Sequence, residues 1–290
     1  MLVQVFNIVA PLFIIIAVGY FYGARVRPEM RITNQLVMDV FMPVLIFHVM
    51  VQEGFSPLEY SSLVIAGCLL MLGSGLIAFL LAKVLGYGPR ALIPSAMFSN
   101  WANLGLPLYI LALGQEALDG GIMLVVAGNI LCFTIGIKIY SGHASSWQVL
   151  KTPIIIAVIA GGLFKALNVT LPVAVDTPLQ MMGQVAIPLM LFSLGVRLTR
   201  LGLQDIKVGV MMAVFCPVIG VSLAFVLMFF IPLSPLHKSI LILFGALPPA
   251  VINYMLAEQY DCEPDRVASM VIIANLAAIV SLPLALLLVL

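Results

Sequence analysis

Long apolar stretches dominate the chain, and short groups of charged residues, glycine and proline separate them. A transmembrane α-helix needs about 20 predominantly apolar residues to cross a bilayer. The pattern predicts ten spans, near residues 4–24, 33–51, 60–82, 91–113, 118–138, 152–168, 177–197, 207–230, 238–258 and 266–290. Strands of a membrane barrel would alternate apolar and polar residues over about ten positions, whereas Val9 to Val18 is almost continuously apolar. The predicted fold is therefore an all-α integral membrane protein.

Two of these spans, the fourth and the ninth, are interrupted by polar and helix-breaking residues. The fourth contains Ser99 to Pro107, S-N-W-A-N-L-G-L-P, and the ninth contains Gly245 to Pro249, G-A-L-P-P. A break at membrane depth is tolerated only where protein or a water-filled cavity covers the freed backbone groups. Paired interruptions at matching places in two halves are typical of the substrate site of a secondary transporter. We therefore expect helices 4 and 9 to be broken at prolines.

The two halves of the chain resemble each other in the order of several short motifs. Placing Pro43 on Pro188 aligns M-P-V-L-I-F of span two with I-P-L-M-L-F of span seven, and Asn129 of span five matches Asn275 of span ten. With five spans in each half, the second half enters the membrane in the opposite direction, which gives inverted repeats. The expected organisation is a first five-helix repeat over 1–140, a short cytoplasmic linker over 141–151 and a second, inverted repeat over 152–290.

The overall composition supports the assignment to membrane proteins and argues against nucleic-acid binding and against a metal site or disulfide framework. Hydrophobic residues make up 63% of the chain and charged residues 9%, against about 45–50% and about 25% in soluble proteins. A net charge of +1 gives no basis for binding nucleic acid. The four cysteines lack the spacing of a metal site or a disulfide framework, so we expect neither a metal nor another cofactor. The amino terminus lacks a basic region before its apolar stretch, which argues against a cleaved signal peptide.

The distribution of basic residues predicts the orientation of the chain. Loops that contact the cytoplasm carry an excess of lysine and arginine. Alternate connections contain eleven of the 13 basic residues, and only Lys165 and Lys238 lie in the others. We therefore expect a multi-pass protein of the plasma (inner) membrane with both termini outside. The eleven are Arg25, Arg27, Arg31, Lys83, Arg90, Lys138, Lys151, Arg197, Arg200, Lys207 and Arg266.

Asparagines and prolines of the two interrupted spans form the candidate substrate site. Proline has no N–H to lose at the first turn of a helix, so these prolines suit the starts of new half-helices. Such a start carries unpaired N–H groups and partial positive charge, which favour an anion, and the asparagine side chains can add donors. The alternative is that the prolines only kink the helices and the asparagines pair with freed carbonyls. The candidates are Asn100, Asn103, Gly105, Pro107, Pro248, Pro249 and Asn253.

Asp39 is the first candidate for ion coupling, with Gln184 and His48 as further candidates. Asp39 lies well inside span two, where a carboxylate costs about 2.5–3.5 kcal/mol and usually faces a cavity or a proton path. Gln184 is its counterpart in the second half, and His48, farther along span two, can relay protons. The alternative is that these side chains fix helix packing. Bridging of adjacent helices is also the commoner role of asparagines such as Asn129 and Asn275.

The interrupted spans resemble those of the auxin efflux carrier family, which joins plant auxin carriers to bacterial permeases for malonate, malate and similar acids. The matching residues are N-W-A-N-L-G-L-P-L from Asn100, similar to the family's N-x-x-N-x-G-x-P pattern, and A-L-P-P-A-V from Ala246. The resemblance implies a ten-helix carrier in which helices 4 and 9 cross near the midplane and a transport domain moves like an elevator against a scaffold. It also implies that Asn100 contacts a substrate carboxylate, and we expect a homodimer.

The predicted function is secondary transport of small organic anions, such as malonate, malate or auxin-like acids, driven by a proton gradient, a sodium gradient or the anion's own gradient. The substrate, the lipid bilayer and a coupling proton or Na⁺ are the expected partners. A channel or a sensory membrane protein is the alternative. An enzyme is not expected, because the spans contain neither G-x-S-x-G nor H-E-x-x-H. The chain also lacks a G-x-x-x-x-G-K motif for ATP.

Overall fold

The computed structural model describes residues 2–52, 55–142, 151–167, 169–199 and 203–290. Most of the predicted linker 141–151 and the loop residue Arg200 lie outside these ranges. The described residues are predominantly helical. The helices are α1 Leu2–Val26, α2 Arg31–Val51, α3 Pro57–Leu85, α4 Pro89–Met97, α5 Trp101–Leu113, α6 Glu116–Ser141, α7 Pro153–Ala166, α8 Val173–Leu198, α9 Ile206–Phe230, α10 Pro235–Ala246, α11 Val251–Gln259 and α12 Pro264–Leu286.

Seven of these helices are long and apolar enough to cross a membrane, namely α1, α2, α3, α6, α8, α9 and α12. Three more, α5, α7 and α10, are apolar but shorter. An all-helical, multi-pass membrane protein is therefore confirmed. The count of ten spans stays a prediction, because it requires α4 with α5, and α10 with α11, to form one span each.

Local sequence signals explain where several helices begin and end. Pro89 and Pro153 occupy the first turns of α4 and α7, where the missing N–H costs nothing. The Ser234 hydroxyl accepts a hydrogen bond from the His237 N–H at the start of α10, as N-terminal capping residues do. Gly86 ends α3 with φ of 71°, a left-handed conformation that glycine adopts without steric cost.

The helices pack as two groups. In the first, α1 packs on α8, and α2 packs on both α7 and α8. In the second, α9 packs on α3, α10 and α12, while α4 and α6 pack on α3 and α5 packs on α6. The contacts that join the groups, chiefly α1 with α5 and α12 and α8 with α5, are less extensive than these. The described part of the chain thus contains one interface along which two packed units meet.

Two short non-helical links, residues 98–100 and 247–250, pair with each other inside the second group. The Asn100 N–H donates to the Pro248 carbonyl at 2.7 Å, and the Ala250 N–H donates to the Phe98 carbonyl at 2.9 Å. Ser99 and Pro249 form the antiparallel bridge between these bonds. Each link therefore satisfies backbone groups that the other helix interruption leaves free, as a buried break requires.

One of the prolines lies where the sequence suggested, and two do not. We expected Pro107 and Pro248 or Pro249 in the first turns of new half-helices. Pro107 lies in the first turn of the α-helical part of α5, Leu106–Leu113, whereas α11 begins at Val251, after both of the other prolines. Pro248 lies in the link because its carbonyl pairs with Asn100. Pro107 follows a π-helical turn, and this wider turn relieves the clash of a proline ring with the carbonyl four residues earlier.

Candidate functional site

A cavity of about 670 Å³ lies beside the paired links, between the two helix groups. Ser99, Asn100 and Ala250 contribute from the links, and α2 with the connection before it, α5, α6, α7, α8 and α11 form the remaining wall. Three π-helical turns, Val37–Phe41 in α2, Trp101–Gly105 in α5 and Cys132–Gly136 in α6, all contribute residues to this wall. Such turns are frequent at functional sites, so the cavity is the leading candidate for the ligand site.

Three buried asparagines tie the links to the surrounding helices. Asn100, Asn253 and Asn275 are exposed by 1%, 0% and 4%. Asn275 Nδ2 donates to the Pro249 carbonyl at 2.9 Å, and Asn100 Nδ2 donates to Asn275 Oδ1 at 3.0 Å. Asn253 Nδ2 donates to the Phe98 carbonyl at 2.7 Å and to the Ala250 carbonyl at 3.0 Å. The asparagines therefore stabilise both interruptions, which is the alternative role that we considered for them.

The hydrogen bonds also fix which way each amide faces. Asn275 Nδ2 bonds to two carbonyls, so Oδ1 is the atom that it offers to Asn100. Asn100 must then donate, and its own Oδ1 is buried without a partner among the described residues. Asn253 Oδ1 is in the same situation. Of the three asparagines that we expected to serve a substrate carboxylate, Asn100 and Asn253 thus use their Nδ2 groups within the protein in this structure.

One face of α8 brings a serine and an arginine to the same cavity. Met190, Ser193, Leu194 and Arg197 line it at the spacing of one helix face. Ser193 is 5% exposed, and its Oγ has no partner among the described residues. Arg197 Nη1 lies 3.5 Å from Met255 Sδ, and no described carboxylate lies within 4.0 Å of its guanidinium. The other charged residues of this cavity, Glu29, Arg31 and Glu258, are exposed.

Sequence reasoning missed both Ser193 and Arg197. Arg197 was read only as a basic residue of a cytoplasmic connection, because it lies at the end of a span. The signal that could have found it is the spacing of Ser193 and Arg197, which places a hydroxyl and a cation one turn apart on an otherwise apolar helix.

A second cavity, of about 380 Å³, lies farther along the same helix interface. It shares no lining residue with the larger one, and α2, α5 and α8 line both. On α2, Met42 lines the larger cavity and Leu45 lines the smaller one. On α8, Met190 lines the larger cavity and Leu191 lines the smaller one. The two cavities are therefore about one helical turn apart along α2, whereas along α8 adjacent residues line them.

His48 and Gln184 line the smaller cavity, together with Gln52. His48 is 6% exposed. Its Nδ1 lies 3.1 Å from Asp176 Oδ1, although the two groups are not aligned as a hydrogen bond, and its Nε2 lies 3.0 Å from Gln52 Nε2. Lys165 Nζ donates to the Gln52 carbonyl at 2.7 Å. The His48 side chain thus lines this cavity from α2 and lies close to Asp176 of α8, while Lys165 of α7 bonds to the neighbouring Gln52 carbonyl.

The remaining predicted residues differ in where they lie relative to the cavities. Asp39 is exposed on the outer face of α2, within its π-helical turn, and lines neither cavity. Gly105 packs under the other link, since a Cβ there would lie 3.0 Å from Leu247 Cδ1. Among the other candidates, Asn103 lines the larger cavity, Pro107 lines the smaller one, and Pro248, Pro249 and Asn253 line neither.

Comparison with known proteins identifies the family. Residues 4–148 and 141–286 match the membrane transport protein family. An uncharacterized transporter of Methanocaldococcus jannaschii is 24% identical over 288 residues, which cover 93% of this chain and 94% of the relative. An uncharacterized transporter of Methanothermobacter thermautotrophicus is 25% identical over 291 residues, with the same coverage of each chain. This is a family of transporters and not of enzymes. The chain therefore belongs to the membrane transport protein family, that of the auxin efflux carriers.

Proposed function

We propose that this transporter is a secondary carrier of small organic anions that works by alternating access. The observation that carries the proposal is the pair of cavities, which follow each other along one helix interface and share no lining residue. A carrier must open a single site to one side of the membrane at a time, and interrupted helices at the interface of two units are the usual place for that site. The half-buried Arg197 in the larger cavity supports an anionic substrate.

The two helix groups support an elevator-type movement. In this proposal α1, α2, α7 and α8 form the scaffold, and the remaining helices form the transport domain that carries the paired links. Movement along the shared interface would connect the links to one cavity and then to the other. The ten spans, the inverted repeats and the homodimer remain part of this proposal.

The orientation follows from the charge of the loops. The residues Glu29, Met30 and Arg31 line the larger cavity and belong to a connection that we predict to be cytoplasmic. The larger cavity would then open to the cytoplasm, the smaller one to the outside, and both termini would lie outside the plasma membrane.

Counterflow in liposomes tests the carrier. Purified protein is reconstituted, and uptake of labelled lactate, malate and malonate is measured with and without the same anion inside. We expect saturable uptake that internal anion accelerates, because a carrier returns faster when it is loaded. Uptake that never saturates and ignores internal anion would indicate a channel instead.

Matched tryptophan variants control this experiment. Ala102→Trp fills the larger cavity and is expected to abolish uptake. Ile159→Trp adds the same bulk to α7 at a position that is 59% exposed, and it should transport like the parent protein. Equal transport by both variants would place the substrate elsewhere.

We further propose that His48 couples transport to protons. Gln52 Nε2 is the donor to neutral His48 Nε2, so protonation of that nitrogen requires the Gln52 amide to turn and changes the wall of the smaller cavity. Asp176 from α8 and Lys165 from α7 are the charged groups nearest to this pair. His48→Gln is therefore expected to lose acceleration by an imposed pH gradient but to keep counterflow.

His237→Gln is the control for this prediction, because it removes a histidine at the start of α10, outside both cavities. Asp39→Asn is measured beside it. A His48→Gln protein that still responds to the pH gradient would refute the assignment of proton coupling to His48. Loss of the response in Asp39→Asn would assign proton coupling to the Asp39 carboxylate.

A further inference from the structure

Arg197 of α8 lies at the boundary between the two helix groups. It is half-buried and lines the larger cavity, and its Nη1 lies 3.5 Å from Met255 Sδ of α11. Among the described residues, no carboxylate lies within 4.0 Å of its guanidinium. A cation without a partner is tolerated at this place because the open cavity lets water reach it.

Closure of the larger cavity removes this water. In alternating access the cavity must close when the site opens to the other side of the membrane. Arg197 belongs to α8 of the scaffold, so it does not leave with the transport domain, and the guanidinium becomes enclosed between the two helix groups. Enclosing a cation without an anionic partner is strongly unfavourable. The closed state therefore needs a carboxylate that moves to Arg197.

Glu258 is the carboxylate that can make this movement. In the described part of the chain, Glu29 and Glu258 are the carboxylates that line the larger cavity. Glu29 lies between α1 and α2, both in the scaffold, so movement of the transport domain does not bring it to Arg197. Glu258 lies on α11, three residues after Met255, or about 4.5 Å along the helix. It is exposed, and its Oε1 accepts a hydrogen bond from the Tyr254 hydroxyl of the same helix at 3.0 Å.

The ends of α8 and α11 lie on the same side of the protein. Asp205, in the connection after α8, forms an ion pair at 3.0 Å with Arg266, which follows α11 at the start of α12. Within α11, Glu258 is therefore nearer to this side than Met255 is. A carboxylate so close to the end of a helix also opposes the helix dipole, so the stability of α11 does not explain this residue.

The order of the two cavities along α8 gives the direction of the shift. Residues 180–191 of α8 contribute to the smaller cavity, and residues 190–197 contribute to the larger one. A transport domain that moves from the larger cavity toward the smaller one carries α11 toward the start of α8. A shift of about one helical turn then places Glu258 beside Arg197, where Met255 lies now.

We propose that Arg197 and Glu258 form an ion pair between the two helix groups when the larger cavity is closed, and that this pair keeps it closed. The inference rests on the proposed alternating access and adds a gate to it. In the state of this structure the pair is not formed, and the guanidinium is open to an entering anion. Glu258 takes the place of that anion once the cavity has closed.

Removal of the Glu258 charge tests the gate. Counterflow is measured with whichever of lactate, malate and malonate the parent exchanges fastest. Glu258→Gln should slow counterflow at least about fivefold, because the closed state loses its ion pair. Its equilibrium affinity for the anion should be equal to that of the parent or tighter. An affinity that falls as much as the rate would place Glu258 at the substrate and overturn the gate.

Asp261→Asn is the matched control. It removes one negative charge three residues later, from an exposed side chain outside both cavities. Asp261 has φ of 50°, which asparagine also adopts readily. This variant should exchange the anion as fast as the parent. Equal slowing by both substitutions would indicate a general effect of surface charge and overturn the gate.

Combined substitutions test whether the two residues act together. Adding Glu258→Gln to Arg197→Gln should slow counterflow no further than Arg197→Gln does alone, because either change removes the pair. The charge exchange Arg197→Glu with Glu258→Arg should be faster than either of its single substitutions. Effects that multiply in the double variant would refute the pair.

A relocated carboxylate tests the geometry without transport. Met255→Glu places a carboxylate beside Arg197 in the state of this structure. It should unfold at a higher temperature than Met255→Gln, and the difference should vanish once Arg197→Gln is added. A difference that persists with Arg197→Gln would overturn the assignment of the partner. A parent that lacks counterflow with every anion refutes the carrier function, whereas an active parent with an equally fast Glu258→Gln refutes the gate alone.

Discussion

Gly195→Ala is expected to destabilise the protein strongly, although the change adds a single methyl group. A Cβ at Gly195 would lie 2.0 Å from the Ile16 carbonyl oxygen and 2.8 Å from the Tyr20 nitrogen, both on the backbone of α1. The reciprocal contact is equally close, because a Cβ at Gly19 would lie 2.1 Å from the Phe192 carbonyl oxygen. Small residues allow membrane helices to approach this closely. The added methyl must separate α1 from α8, at a cost near the upper end of about 1–3 kcal/mol for overpacking.

Gly162→Ala provides the control for this prediction. Gly162 is also inside a helix, but a Cβ there would meet only Met50 Cε, at 3.9 Å. Alanine is favoured over glycine in a helix by about 1 kcal/mol, so this variant should be as stable as the parent or more so. Thermal unfolding of the purified proteins measures both effects. Equal unfolding temperatures for the two variants would show that α1 and α8 do not meet at their backbones.

Asn275→Leu is expected to disrupt the paired links and abolish transport. The substitution leaves Asn100 Nδ2 and the Pro249 carbonyl without the partner that each has now. Each buried group left unpaired costs about 1–3 kcal/mol, so the two together cost about 2–6 kcal/mol. Because both groups belong to the links, the loss should fall on the geometry of the crossing, and transport should be lost before global unfolding. Uptake in liposomes and thermal unfolding measure the two effects separately.

Asn129→Leu is the matched control, at the counterpart of Asn275 under the predicted repeat alignment. Asn129 Nδ2 donates to the Val125 carbonyl of its own helix at 2.8 Å, and the residue is half-buried. Its removal leaves no buried donor unpaired, so the unfolding temperature should stay close to that of the parent. Similar destabilisation by both substitutions would mean that the network around Asn275 contributes little.

Features that depend on local sequence could be predicted, and those that depend on packing could not. The apolar stretches indicated a multi-pass protein, and the run from Ser99 to Pro107 contains the residues at which one link forms. The exact place of the link could not be predicted, because it depends on pairing with a segment far away in the chain. Asn275 has the bridging role that we considered commoner, whereas among the described residues Asn129 bonds to the Val125 carbonyl of its own helix.

In the candidate site, too, the residues marked by local sequence could be predicted, and those placed by packing could not. Asn100 and Asn103 could be identified because polar residues within an apolar span are conspicuous. Arg197 was missed because a cation near a helix end has an ordinary role in topology, and only the packing of α8 turns it toward the cavity. The exposed position of Asp39 was missed because a π-helical turn changes which face of α2 it occupies.

The π-helical turns have a further consequence, for tolerance of changes in chain length. In a π-helical turn the backbone N–H bonds to the carbonyl five residues earlier, and not four residues earlier as in an α-helix. The turn therefore accommodates one more residue. Deleting one residue within Val37–Phe41, Trp101–Gly105 or Cys132–Gly136 would restore α-helical bonding, and the helix beyond the turn would keep nearly the same face toward the cavity. Relatives can therefore differ by one residue at these turns while the rest of each helix stays in register with the cavity.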